Sequence, residues 1–361
     1  MNHAALNTAV CDLLGIRYPI VQAGMGYVAR ADLCAAVSAA GGLGVIGAAS
    51  LTAAQLRDEI HRVRDRTDRP FGVDILFATI GRPAADDTTS RFTDEVEAQI
   101  AVVFDERVPV LASGLGDPGP VVAEAHALGI KVLALVGNTR NAKRVAASGV
   151  DAIVAQGYDA GGHTGRVGTF SLLPGVVDAV DVPVLAAGGI ADGRGLVAAL
   201  ALGAAGIWMG TRFVASRESF CHDNYKQRIV EIDDEGTTVT RCFSGKPCRV
   251  IRNDTTAAWE TPELQARVRP FPLQFGVMGE WLGQDPYIAG RREGNVQIGA
   301  IAAGQSSVLI REVRPVASIV EEIIAEAAAT LKRLGVGMTP QASARKSTSK
   351  VRTRRGADDT L

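Results

Sequence analysis

Eight short apolar runs, separated by longer helical patterns, constrain this chain more than any other feature. They are Pro19–Gln22, Gly44–Ile46, Phe71–Ile75, Val108–Leu111, Lys131–Leu135, Ala152–Gln156, Val182–Ala186 and Gly206–Met209. Each is rich in Val, Ile and Leu and lacks polar–apolar alternation, as strands buried on both faces of a parallel sheet do. Helical patterns fill the gaps, among them Thr52–Arg66, Thr93–Glu106 and Arg194–Leu202, and Thr52 with Gln55 spells a capping box. Count and even spacing favour a closed (β/α)8 barrel (a TIM barrel, fold class α/β) over an open doubly wound sheet.

The pattern breaks after Thr211. Residues 217–315 hold helical pieces, the Pro-rich Arg269-Pro270-Phe271-Pro272 and two of the three tryptophans. They read as a mostly helical insertion after the eighth strand, a cap that carries substrate specificity. The amphipathic stretch Ile319–Leu334 then closes the barrel. The expected organisation is therefore a barrel over 10–216 and 316–335, the insertion over 217–315, and a disordered basic tail over 336–361.

Composition removes several functions. Lys+Arg is 38 and Asp+Glu 39, so no net positive field exists for nucleic acid. No run of 18 apolar residues is present, so no membrane span is expected, and the first residues do not read as a signal peptide. Five cysteines, an odd count without CxxC or a Cys/His cluster, read as reduced thiols in a cytoplasmic protein with no metal site.

Gly42-Leu43-Gly44-Val45-Ile46-Gly47 fits G-x-G-x-x-G, but it follows a helix and contains the strand itself. A dinucleotide fingerprint follows a strand and opens a helix, so this run reads as a helix end and a turn. The C-terminal strand ends are more informative, because barrel active sites lie there. They carry Gln22-Ala23-Gly24-Met25-Gly26, Asp74, Gln156-Gly157, Ala187-Gly188-Gly189 and Met209-Gly210-Thr211. Gly188-Gly189 and Gly210-Thr211 offer bare N–H groups and a hydroxyl after the seventh and eighth strands, a pattern that suits a phosphate, with the following helix dipole behind it. The sixth strand runs into Gln156-Gly157-Tyr158-Asp159-Ala160-Gly161-Gly162-His163, a flexible, glycine-rich loop. His163 is the one histidine of five on the active face and the candidate acid or base; Asp159 either orients it or is a turn residue. Arg249 and Arg252 in the insertion read as solvated side chains rather than as phosphate ligands.

Three of these segments together, Gln22–Gly26, Gln156–His163 and Ala186–Gly193, resemble the nitronate monooxygenase (2-nitropropane dioxygenase) family of FMN barrels. That family also includes an FMN-dependent enoyl-acyl-carrier-protein reductase branch. Gly210-Thr211-Arg212-Phe213, Glu218 and His222–Lys226 resemble that branch; Glu293–Val296 and Ala303-Gly304-Gln305 resemble both. The resemblance implies FMN at the barrel mouth, its phosphate at Gly188-Gly189 and Gly210-Thr211. The ring would contact the backbone of Ala23, Gly24 and Met25 and the side chains of Asp74 and Gln156. Gly161, Gly162, Ala187 and Met209 complete the implied cofactor set, and His163 becomes the catalytic residue. Relatives commonly carry Asn in place of Asp74, and a charged carboxylate there would disfavour an anionic reduced flavin.

The activity so implied is oxidation of alkyl nitronates, such as propionate 3-nitronate, by molecular oxygen. The alternative is an NAD(P)H-dependent FMN reductase of an enoyl thioester or a quinone. A flavin-binding protein without turnover is the reading from another class. The expected partners are a small substrate and oxygen; NAD(P)H and a homodimer stay open.

Overall fold

The computed structural model describes residues 6–77 and 93–335. Eleven strands follow one another: β1 (Ile20–Gln22), β2 (Gly44–Gly47), β3 (Phe71–Phe77), β4 (Val110–Gly116), β5 (Lys131–Val136), β6 (Ala152–Gln156), β7 (Gly162–His163), β8 (Val184–Ala187), β9 (Gly206–Met209), β10 (Thr237–Thr240) and β11 (Cys248–Ile251). Eight of them pair in parallel in the order β1-β9-β8-β6-β5-β4-β3-β2, and a bridge between Val21 and Leu43 joins the ends. This is the expected barrel, and every expected strand is present. The basic tail expected at 336–361 lies outside the described residues.

The β1–β2 seam is the barrel's thinnest. Gln22 N–H donates to the Leu43 carbonyl and Leu43 N–H to the Ile20 carbonyl, both at 2.9 Å. The fully buried Gln22 side chain extends this ladder. Its Nε2 donates to the Val45 carbonyl at 3.0 Å and its Oε1 accepts from Val45 N–H at 3.1 Å. A primary amide carries the same donor and acceptor as a peptide unit, so it can replace one rung of a sheet.

The barrel interior is filled by Val45, Leu133, Val154, Leu185 and Trp208, onto which the helix Ala9–Leu14 packs Val10, Cys11 and Leu14. A hydrogen bond from Thr8 Oγ1 to the Ala205 carbonyl, just ahead of β9, fixes that helix at the end where the strands begin. The opposite end is left for a site. A second core lies between strands and outer helices and includes Leu33, Leu56, Ile60, Leu196 and Ile323. Helix Val316–Arg333 turns Ile319, Val320, Ile323 and Ile324 inward, and its Glu326 accepts the Gly193 N–H at 3.0 Å. The G-x-G-x-x-G run is explained by packing: a Cβ on Gly44 would sit 1.9 Å from the Cys34 carbonyl oxygen.

Helices are the main elements of residues 217–315, but β10 and β11 also lie there, where no strand was expected. These strands form an antiparallel sheet with β7, in the order β10-β11-β7. Phe243, Trp259 and Met278 make a small separate core in this region. All five cysteines are buried and free. No helix among the described residues is long and apolar enough to cross a membrane.

Replacing Gln22 by Met would keep the volume and strand both backbone groups of Val45. Leaving two buried groups unpaired costs about 2–4 kcal/mol. We expect urea unfolding of Gln22→Met to show that loss; unchanged stability would mean that the side-chain rung does not hold the seam.

Candidate active site

One cavity of about 710 Å³ opens where the barrel strands end, and all fourteen residues singled out from the sequence line it. Ala23, Gly24 and Met25 come from the loop after β1, Asp74 from β3 and Gln156 from the end of β6. Gly161, Gly162 and His163 come from the loop after β6 and from β7. Ala187, Gly188 and Gly189 follow β8, and Met209, Gly210 and Thr211 follow β9.

The loop that carries His163 is clamped rather than flexible. His163 pairs with Cys248, and Gly162 with Arg249, on β11. On its other side the chain presses on residues 303–305: a Cβ on Gly161 would lie 2.7 Å from the Ala303 carbonyl carbon, and Gln305 N–H donates to the Asp159 carbonyl at 2.9 Å. The glycines are there for close backbone approach. Gln156 Nε2 donates to the His163 carbonyl at 2.9 Å, fixing the loop to its own strand. Asp159 does not reach His163; its carboxylate accepts from Thr169 N–H at 2.7 Å and caps the helix Thr169–Val177.

His163 Nε2 lies 2.8 Å from Ser244 Oγ. Ser244 is fully buried, receives Lys246 N–H at 3.3 Å and can donate to the Lys246 carbonyl at 3.4 Å. The arrangement that satisfies every group has Nε2–H donating to Ser244, which leaves the Nδ1 lone pair as the ring's free acceptor. Burial, reinforced by the positive charges of Lys246 and Arg291, pushes the imidazole down to about 4. It is therefore a neutral ring at physiological pH, competent to accept a proton.

Asp74 is buried between Gly24 and Gly114, where a Cβ on Gly24 would come within 2.6 Å of Oδ2. Burial raises its carboxyl well above the usual range, against a smaller opposing effect of the Gly114 amide, and Oδ1 has no partner. A carboxyl that keeps its proton puts a donor beside an acceptor, as an Asn does, with one N–H fewer. Burial thus disfavours charge on both the acid and the base of the site.

Gly188 and Gly189 have left-handed φ values of 99° and 75°, and their N–H groups are not spent on the protein's own carbonyls. A Cβ on Gly188 would meet Ala160 N at 2.8 Å. Thr211 Oγ1 accepts from Gly304 N–H at 2.9 Å, so its own proton remains to be given. The helix dipole expected behind Gly188-Gly189 is already occupied, because Asp192 caps Gly193–Ala201 by accepting from Gly195 N–H at 3.0 Å. Anion binding in that loop therefore rests on the bare amides.

Several residues of the cavity wall were not picked as site residues from the sequence. Tyr225, within the His222–Lys226 motif, and Phe271, Phe275, Tyr287 and Arg291 enter from the insertion, whose course cannot be read from local pattern. Phe271 packs edge-on against His163, with ring centroids 6.2 Å apart. Arg249 and Arg252 are not free: Arg249 donates to the Tyr158 carbonyl and Thr237 Oγ1, Arg252 to the Glu235 carbonyl. Glu218 accepts from Val316 N–H and fixes the start of the closing helix. Among the described residues no cluster could hold a metal ion.

The histidine geometry makes a measurable claim. We expect the ¹⁵N signals of His163 to show a neutral ring with the proton on Nε2 from neutral pH down to about 5, titrating near 4. Between 6.5 and 4 the unfolded chain binds this proton and the folded one does not, so stability falls as pH falls through that window. A midpoint at the ordinary 6.5 would contradict the enclosed site. In Ser244→Ala the proton should redistribute between the two nitrogens while the fold is kept.

The family model described as nitronate monooxygenase matches residues 7–326. A nitronate monooxygenase of Paraburkholderia phytofirmans is 34% identical over 90% of this chain and 96% of its own. A (3aS,4S,5R,7aS)-5-hydroxy-7a-methyl-1-oxo-octahydro-1H-indene-4-carboxyl-CoA dehydrogenase of Rhodococcus jostii is 36% identical over 92% of this chain and 99% of its own. Among solved structures, FabK from Thermotoga maritima is 38% identical with a TM-score of 0.81, covering 91% of this chain and 98% of that one. With an oxidoreductase barrel, its cavity and the matched motifs in one chain, this protein belongs to the nitronate monooxygenase family of oxidoreductases.

Proposed function

We propose that the protein is an FMN-dependent oxidoreductase that oxidises alkyl nitronates, such as propionate 3-nitronate, with molecular oxygen in the cytoplasm. The observation that carries this reading is that His163, held by Ser244 with Nδ1 free, lines one cavity with Asp74 and the glycine-marked strand ends. FMN fits the residues present. The bare amides of Gly188 and Gly189, with Gly210 and the Thr211 hydroxyl, would hold its phosphate. The unpartnered Asp74 carboxyl, Gln156 and the backbone of Ala23 to Met25 would face its ring. Burial raises the Asp74 carboxyl and so disfavours a negative charge beside a reduced ring.

When bound, FMN supplies electron transfer and reaction with oxygen. The chain's own residues supply the rest. His163, held by Ser244, keeps Nδ1 free to take the α-proton of a neutral nitroalkane or to hydrogen-bond a nitronate that has already lost it. Phe271, Phe275 and Tyr287 line the outer wall with aromatic surface and keep water from the reacting carbon.

The second reading, NAD(P)H-dependent reduction of an enoyl thioester, is favoured by a different observation. The cavity of about 710 Å³ extends to the aromatic residues Phe271, Phe275 and Tyr287 and to Arg291 of the insertion, a wall suited to a ligand with both apolar and anionic parts. A relative named for a CoA-linked substrate points the same way. In that reading His163 would first have to take up a proton on Nδ1 and then pass it to the α-carbon.

Anaerobic mixing of the flavin-loaded protein with NADH and NADPH separates the two. Oxygen uptake on propionate 3-nitronate without bleaching by either nucleotide is the expected result; rapid bleaching would move the protein to the reductase reading. His163→Ala should keep its flavin and lose roughly 10²- to 10⁴-fold in turnover of neutral nitroalkanes, with a smaller loss on preformed nitronates. Equal losses on both substrate forms would remove the base role.

A further inference from the structure

The loop after β1 leads out of the cavity to a group of positive charges that the reaction at His163 does not use. Tyr27, in the left-handed region at φ 62°, is held by its N–H donating to Ser50 Oγ at 3.0 Å, and both residues line the cavity. Arg30 Nη2 reaches the same Ser50 Oγ at 3.5 Å. The Arg30 guanidinium carbon lies 5.2 Å from the centroid of Phe220, and that of Arg292 lies 3.8 Å from the same ring. Phe220 stays 43% exposed, so the group opens to solvent beside the cavity mouth. Arg291, the next residue back, stacks on Tyr287 and donates to the Gly26 and Ala300 carbonyls.

These charges are not neutralised from within. Among the described residues no carboxylate lies within 4.0 Å of Arg30, Arg291 or Arg292. Glu59, the nearest acid to act on Arg30, is spent on the Ala31 N–H and on Arg62. Asp285 caps its own helix by accepting from Tyr287 and Ile288 N–H. Arg30 Nε is buried with no acceptor at all. Two cations drawn together on one ring, one with an orphaned donor, form a site that is completed by an anion. Two guanidinium forks suit the several oxygens of a phosphate better than one carboxylate.

We propose that Arg30 and Arg292, spaced by Phe220, bind the phosphate of a phosphorylated adenosine on the second substrate, whose reactive end reaches His163 through the cavity. This rests on the second reading above, NAD(P)H-dependent reduction of an enoyl thioester, and not on nitronate oxidation. Two molecules carry such a group: a coenzyme A thioester, through its 3′-phosphate, and NADPH, through its 2′-phosphate. A bare alkyl nitronate carries none.

The test is calorimetric titration of the flavin-loaded protein with CoA against 3′-dephospho-CoA, and with NADPH against NADH, at low ionic strength. In at least one pair we expect the extra phosphate to tighten binding about tenfold. Arg292 is exposed, so it can be changed without opening the core. Arg292→Glu should bring the phosphorylated member down to its partner's affinity and leave flavin content and the partner's affinity unchanged. A difference in the CoA pair assigns the subsite to a thioester; a difference in the NADPH pair assigns it to the nicotinamide donor. Equal affinities in both pairs, or a difference that survives Arg292→Glu, would overturn the proposal. A protein that takes up no FMN would instead defeat the functional reading, and that outcome is seen before any titration begins.

Discussion

The site depends on a two-residue strand pairing. Gly162 and His163 of the barrel pair with Arg249 and Cys248 of the insertion, more than eighty residues later in the chain. So short a ladder is weak on its own, since each hydrogen bond contributes only about 0.5–1.5 kcal/mol. It holds because both flanks are tied. Arg249 donates to the Tyr158 carbonyl from below, the 303–305 segment presses on Gly161 from the side, and Gln156 fixes the His163 carbonyl. The same pairing brings Ser244 to the imidazole, so barrel and insertion position the histidine jointly.

The electrostatics follow from that enclosure. Burial is the largest influence on both His163 and Asp74, and it disfavours the charged form of each, moving the base downwards and the acid upwards. A largely apolar cavity stabilises charge poorly in the resting state, so a charge that forms during reaction must be met by groups already in place. Those groups are the Ser244-held imidazole, the Asp74 carboxyl and the free amides of Gly188 and Gly189. Permanent positive charge lies at Arg291 in the cavity wall and further out at Arg30 and Arg292.

Most of the barrel half was legible in the sequence. Parallel strands buried on both faces announce themselves as apolar runs, and Thr52 and Gln55 form the capping box their spacing suggested. The floor of the cavity was legible too, because a barrel places its strand ends together whatever the loops do. The outer wall was not. Phe271 and Tyr287 reach the cavity, and Ser244 reaches His163, through tertiary contacts of the insertion, and nothing in their neighbours' spacing marks them. The glycines around His163 misled in a physical sense: glycine permits mobility and permits close packing, and only the partner chain segments decide which. Asp159 failed for a similar reason, since a helix N-terminus lay nearer to it than the imidazole did.

The account stands on FMN lying along the floor of this cavity. The most direct measurement is mass spectrometry of the flavin released on denaturing the purified yellow protein, with its stoichiometry. One FMN per chain is the predicted result, because in the proposed function the bare amides of Gly188 and Gly189, with Gly210 and Thr211, would cradle one phosphate. The G-x-G-x-x-G run serves helix–strand packing rather than a second nucleotide half. A flavin carrying an adenylate, or a colourless protein that cannot be loaded with FMN, would contradict it.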